Sequence, residues 1–170
     1  MNTAISTLSD ASAEEIDFDR RFGGIARLYG VAALQRFRTA HVCVIGVGGV
    51  GSWAVEALAR SAVGQLTMID LDHVAESNIN RQIQALTATL GKAKVTALAE
   101  RIAQINPFCR VIEVEGNCET GTQGVTGLNC AGFGSAMVVT ATFGLVAAAQ
   151  VLRRLAANAA TSDETAVPAE

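Results

Sequence analysis

Charge is scarce in this chain: 17% of its 170 residues are Asp, Glu, Lys or Arg, while 50% are apolar. That balance excludes disorder along the whole length, which needs low hydrophobicity and high charge. The net charge is −3, so there is no basic surplus of the kind that marks a nucleic-acid binder, and only a local patch could meet an RNA. Paired cysteines are also lacking. Cys43, Cys109, Cys118 and Cys130 include no CxxC, which gives no support to a zinc ribbon or a redox motif. Cys43 sits in the apolar run VCVI and reads as a small core residue, and the other three read as buried or idle thiols. The N-terminus has no cationic start followed by an apolar stretch, so no secretory signal is visible. Free thiols without an export signal give the expectation of a cytoplasmic protein.

What is present fills one ordinary domain. Residues 1–19 are polar, small and acidic and read as a flexible leader. From 19 to 38, Ile25, Leu28, Val31, Leu34 and Phe37 recur at helical spacing around Gly23, Gly24 and Gly30, predicting two short helices with a break. Residues 41–45 form a β-branched run ended by Gly46, and 52–60 carry good helix formers. A second strand is predicted at 65–70, a helix at 92–105 stopped by Asn106-Pro107, and a third strand at 110–115. Strand, glycine turn, helix, strand, helix, strand is the first half of a doubly wound α/β fold with a Rossmann-like parallel sheet.

Beyond it the pattern changes. Residues 116–134 hold six glycines and no convincing strand. Residues 131–152 carry no charge and precede Arg153-Arg154; 158–170 reads as a flexible tail. A bilayer span needs about 20 apolar residues. The uncharged stretch is that long, but it is rich in Ala, Gly and Thr, and it reads first as a helix buried on several sides and second as a membrane contact.

The chemistry gathers after the first strand. Gly46-Val47-Gly48-Gly49-Val50-Gly51 fits G-x-G-x-x-G between a strand and a helix. Gly46 permits the tight turn, Gly48 lets phosphates approach the backbone, and Gly51 lets helix and strand pack closely. The helix that begins near Ser52 offers unpaired N–H groups to those phosphates. Asp70 ends the second strand where a ribose-binding acid belongs, so NAD and ATP both fit to this point. The loop that follows, with Asp72, Asn78, Asn80, Arg81 and Gln82, separates them. A dehydrogenase has no need of an arginine flanked by amides there. Nucleotidyl transfer does, because charge builds on the α-phosphate and on the departing pyrophosphate. Lys94 can meet the same phosphates. Taken singly, Arg81 and Lys94 would read as solvated charges.

GVGGVGS at 46–52, IDLDHVAESNINRQ at 69–82 and GKAK at 91–94 resemble the ubiquitin-activating-enzyme-like (ThiF-type) adenylyltransferases. RFGGIARLYG at 21–30 and GFGSAMVVTATFG at 132–144 resemble, within that family, the tRNA threonylcarbamoyladenosine dehydratases. The resemblance runs over about 21–115 and again over about 129–155. It implies an ATP- and Mg²⁺-dependent enzyme that adenylates the threonyl carboxylate of N6-threonylcarbamoyladenosine at position 37 of certain tRNAs, so that it cyclises. Arg81 and Lys94 would then be catalytic, binding and polarising phosphates. Gly46, Gly48, Gly49, Gly51, Ser52, Asp70, Asp72, Asn78 and Gln82 would bind or support the nucleotide, Asp70 through the ribose hydroxyls. A homodimer and cysteine desulfurase sulfur-transfer partners are implied as well.

The chain departs from that family in one large respect. After the third strand the family continues with a fourth strand whose aspartate ligates Mg²⁺, and no aspartate here is so placed. The adenylyltransferase domain at 20–157 passes from third strand to last helix across the glycine-rich join, as if an internal segment were deleted. No metal ligand is therefore assigned, and weakened activity is expected. A non-catalytic nucleotide-binding remnant or scaffold, and an NAD-dependent Rossmann oxidoreductase, stand as the alternatives.

Overall fold

The computed structural model describes residues 16–116 and 134–164. Most of the expected leader, most of the glycine-rich join and the end of the expected tail lie outside the described residues.

The chain opens with two helices. Asp17 caps α1 (Phe18–Tyr29) by accepting from the Arg20 N–H at 3.0 Å, which satisfies one of the donors that a helix start leaves unpaired. Gly30 breaks the run and α2 (Val31–Thr39) follows, as the glycine pattern predicts. Phe22, Leu34 and Phe37 are buried at helical spacing, and Phe18 packs on Phe22 and Phe108 under the Arg38 guanidinium.

Three strands make the sheet: β1 (His41–Ile45), β2 (Gln65–Ile69) and β3 (Arg110–Val114), all parallel, in the order β1-β2-β3. Each crossover is helical, through α3 (Gly51–Arg60) and α4 (Lys94–Ile105). The register sets Leu66 between Val42 and Val111, and Val44 beside Met68. Leu66 and Met68 are fully buried against Val55, Leu58, Val95, Leu98 and Ile102, with Val42, Val44 and Val111 packed around them. Burying a side chain of this size stabilises the fold by about 1.5–3 kcal/mol. This face of the sheet, covered by α3 and α4, is the core.

The opposite face is a different matter. His41, Cys43 and Ile45 alternate with the buried set and are exposed, Ile45 at 66%. Cys43 is therefore not the core residue that its apolar neighbours suggest, because strand alternation turns it to the open face. Parallel sheets are ordinarily covered on both faces, and among the described residues this one is left open.

The last helix, α5 (Met137–Glu164), crosses α3 and α2. At Gly144 the crossing is so close that a Cβ would lie 2.4 Å from the Val50 carbonyl oxygen. Ala141, Ala148 and Leu152 are buried along its inner side, while Val138, Val139, Phe143, Leu145 and Val146 are exposed. The expectation of a helix buried on several sides is corrected: one side packs, and over residues 137–159 Ala141, Gly144, Ala148 and Leu152 alone are buried. By length and composition alone that stretch could also cross a membrane. The helix runs on past residue 157, where the sequence suggests that the tail begins.

Candidate functional site

The site is built at the carboxyl ends of β1 and β2, where open α/β sheets place their ligands. Gly46 leaves β1 with φ +80° and donates its N–H to the Ile69 carbonyl at 2.8 Å, fixing the turn to the end of β2. Gly51 begins α3 so close to that turn that a Cβ there would lie 1.9 Å from the Gly46 carbonyl oxygen. Only glycine fits.

Between these two, Val47 is buried and held from both sides. Its N–H donates to Asp70 Oδ2 at 2.8 Å, and its carbonyl accepts from Gln84 Nε2 at 2.9 Å. Among the described residues, the N–H groups of Gly48, Gly49 and Val50 donate to no protein group. Three consecutive free amides at the start of α3 form a cradle for an anion, reinforced by the positive end of the helix dipole.

Asp70 stands under this cradle. Its Oδ2 takes the Val47 N–H and its Oδ1 the Asp72 N–H at 2.9 Å, so it organises both loops, and each oxygen keeps a further lone pair. Lys94 opens α4 and is 5% exposed, far from a solvated helix residue. Its Nζ lies 2.7 Å from Asp72 Oδ2 and 3.9 Å from Asp70 Oδ1. Asp72 itself is largely exposed. The structure therefore brings Asp70, Asp72 and Lys94 together beside the cradle.

Arg81 lies in the loop between β2 and α4, with its Cδ 3.5 Å from the Cβ position of Gly49. Its guanidinium donates to the Ser77 carbonyl and to Asn80 Oδ1, and so is turned onto its own loop. Asn78 is buried and its Oδ1 accepts the Ala75 N–H, which shapes the 3-10 turn Glu76–Asn78. Gln82 is also buried, with Nε2 3.9 Å from the Cβ position of Gly48 and Oε1 accepting from Gln84. Ser52 is wholly enclosed and its Oγ has no partner, so the structure places it beneath the loop rather than on its open side.

Four contacts here have no signal in the local sequence. Gln84 holds Val47. The Trp53 indole N–H donates to the Arg81 carbonyl at 2.9 Å, and Thr140 of α5 approaches the same carbonyl while its Cγ2 comes within 3.1 Å of the Gly49 Cβ position. Asn80 Nδ2 also reaches the Ser135 carbonyl at 2.8 Å. The segment that opens α5 thus leans on the arginine loop, a long-range contact for which no local pattern gives a signal.

Metal fits poorly. Among the described residues, no group of three or more His, Cys, Asp or Glu is placed to hold an ion. The two nearest carboxylates are engaged by backbone N–H groups and by Lys94.

The arrangement can hold a phosphate chain on backbone amides and bring two cations, Lys94 and Arg81, to its flanks. The sequence profile of the ThiF family matches residues 23–130. The chain is 60% identical over 96 residues to the tRNA threonylcarbamoyladenosine dehydratase of Escherichia coli K12, an alignment covering 56% of this chain and 36% of that protein. Crystal structures of the E. coli dehydratase superpose with a TM-score of 0.58 in both nucleotide complexes. The complex with AMP is 54% identical and covers 66% of this chain and 44% of that one. The complex with ATP is 55% identical and covers 65% and 43%. The chain spans less than half the length of the relatives it matches.

Proposed function

This chain belongs to the ThiF family, and from that premise we propose that it binds ATP on the 46–52 loop and performs the adenylation step of a tRNA threonylcarbamoyladenosine dehydratase. The observation that carries the reading is the row of free amides at Gly48, Gly49 and Val50 beside Lys94 and Arg81.

The chemistry asks for what these residues offer. An oxygen of the threonyl carboxylate attacks the α-phosphorus, the bond to pyrophosphate breaks, and a mixed anhydride with AMP forms. A nucleophile within the same modified base then attacks the activated carbonyl, and AMP departs with the bonding electron pair. A carboxylate needs no strong base to do this. It needs its leaving group neutralised, and cations close to the phosphates in a partly dry site supply that. Lys94 is in place once it exchanges part of its contact with Asp72 for phosphate. Arg81 reaches the phosphates by turning its guanidinium off the Ser77 carbonyl, with its backbone held by Trp53. Asp70 fits the ribose hydroxyls through its remaining lone pairs. Among the described residues the carboxylates do not form a Mg²⁺ site.

The tRNA substrate is supported by the dehydratase relatives, and a homodimer, sulfur-transfer partners and a cytoplasmic location belong to the same reading. A second reading, a nucleotide-binding remnant without turnover, is favoured by the open sheet face and by carboxylates already engaged. Competition between nucleotides tests the common premise. ATP displacing a fluorescent ATP analogue, with NADH unable to do so, is the expected result; binding of NADH without ATP would point to an oxidoreductase and sink the proposal.

A further inference from the structure

Gln84 is a buried polar residue beside the glycine loop to which the nucleotide reading gives no role. Gln84 is 1% exposed, and its Nε2 donates to the Val47 carbonyl at 2.9 Å and to Gln82 Oε1 at 3.2 Å. Its own backbone carbonyl accepts from Thr89 Oγ1 at 2.6 Å, which anchors the residue in the loop after β2. Its Oε1 has no partner, so the amide is retained at the cost of one orphaned acceptor. A buried glutamine that leaves half its amide unpaired is poorly explained by packing alone, where a leucine or methionine would serve.

The geometry of the peptide unit supplies the explanation. The Val47 carbonyl and the Gly48 N–H belong to one planar trans peptide and point in opposite directions. Drawing the carbonyl inward onto Gln84 therefore turns the Gly48 N–H outward, and that N–H donates to no described group. Asp70 does the corresponding work one peptide earlier, where the Val47 N–H points in and the Gly46 carbonyl points away. With Gly48 unable to hold its own torsions, because it lacks a Cβ, the direction of this donor depends on the two clamps.

We infer that Gln84 is a positioning residue that aims the Gly48 N–H at the phosphates of the bound nucleotide. The inference rests on the proposed nucleotide site and adds to it a residue that touches no ligand. It makes a prediction that a purely structural role does not: loss of the Gln84 amide weakens phosphate binding and spares the nucleoside.

The test compares ADP with adenosine as probes, by calorimetry on the whole chain and on Gln84→Met. The expected result is about a tenfold weaker ADP affinity, the worth of one well-made hydrogen bond, with adenosine affinity unchanged. Equal weakening of both probes, or weakening of neither, would overturn the inference while leaving the wild-type nucleotide site intact. Failure of the wild-type chain to bind ADP would overturn the nucleotide reading itself and this inference with it. If Gln84→Met does not fold, amide resonances of the wild-type chain decide. The Gly48 N–H is expected to shift downfield on titration with ADP and not with adenosine, and a Gly48 resonance indifferent to ADP would end the argument.

Discussion

Replacing Gly51 by alanine tests the loop geometry where it is tightest. The added methyl carbon would lie 1.9 Å from the Gly46 carbonyl oxygen, 3.0 Å from its carbon and 3.4 Å from Val44 Cγ1. A carbon and a carbonyl oxygen rest no closer than about 3.3 Å, so the turn must retreat by more than about 1 Å. It is not free to do so, since Gly46 is tied to Ile69 and Val47 to Asp70 and Gln84. Losing two such bonds at about 1 kcal/mol each, plus about 1–3 kcal/mol of overpacking, gives a destabilisation of about 3–5 kcal/mol. In a chain of 170 residues that lowers Tm by roughly 10 °C. Nucleotide affinity falls at least tenfold, because the amides that would face phosphate move with the turn. Gly46→Ala is the control. Nothing lies within 4 Å of its Cβ position, but φ is +80°, so only backbone strain of about 1–2 kcal/mol is expected. Thermal melts and ATP titrations on both variants decide. A Gly51→Ala protein that melts and binds like wild type, or one milder than Gly46→Ala, refutes the reasoning.

Further predictions follow from the charged and thiol groups. Lys94→Met leaves Asp70 and Asp72 without their cation; with Asp72 71% exposed, a stability loss of about 1–2 kcal/mol is expected, alongside a larger fall in ATP affinity measured by calorimetry. Burial alone would raise the Glu56 carboxyl, but hydrogen bonds and charge from Arg101 and Arg60 outweigh it and hold its pKa below the ordinary 4.5. A pKa lowered by folding stabilises the protein above the unfolded value and ceases to do so as pH falls through the folded one. Melting temperatures from about pH 6 to about pH 3 should therefore drop less steeply for Glu56→Gln than for wild type, and parallel curves would contradict the assignment. Burial pushes the Cys109 thiol up to about 11, while Cys43 is exposed on the open sheet face. Iodoacetamide at about pH 8 should thus modify Cys43 well before Cys109 in peptide maps.

The half of the fold from 18 to 114 was legible because local signals agreed there. Gly30 breaks a helical period, Gly46 ends a β-branched run, and Asn106-Pro107 stops α4, so each element carries its own punctuation. The exposure of Cys43 was not legible, since which face of a strand is covered depends on elements elsewhere in the chain. Nor was the one-sided packing of α5, whose composition reads alike for a core helix, a membrane span and a helix left half open. At the site, glycine spacing and the acid after β2 point to a nucleotide from sequence alone. Gln84 and Trp53 gave no such signal. Their partners are backbone carbonyls of residues 47 and 81, far along the chain, and no spacing rule encodes a side chain reaching a distant carbonyl.

Whether this loop serves adenylation is decided by ATP–pyrophosphate exchange with and without tRNA bearing threonylcarbamoyladenosine. The expected result is exchange that requires the modified tRNA and disappears in Arg81→Ala. No exchange from a chain that still binds ATP would contradict it and leave a nucleotide-binding remnant in its place.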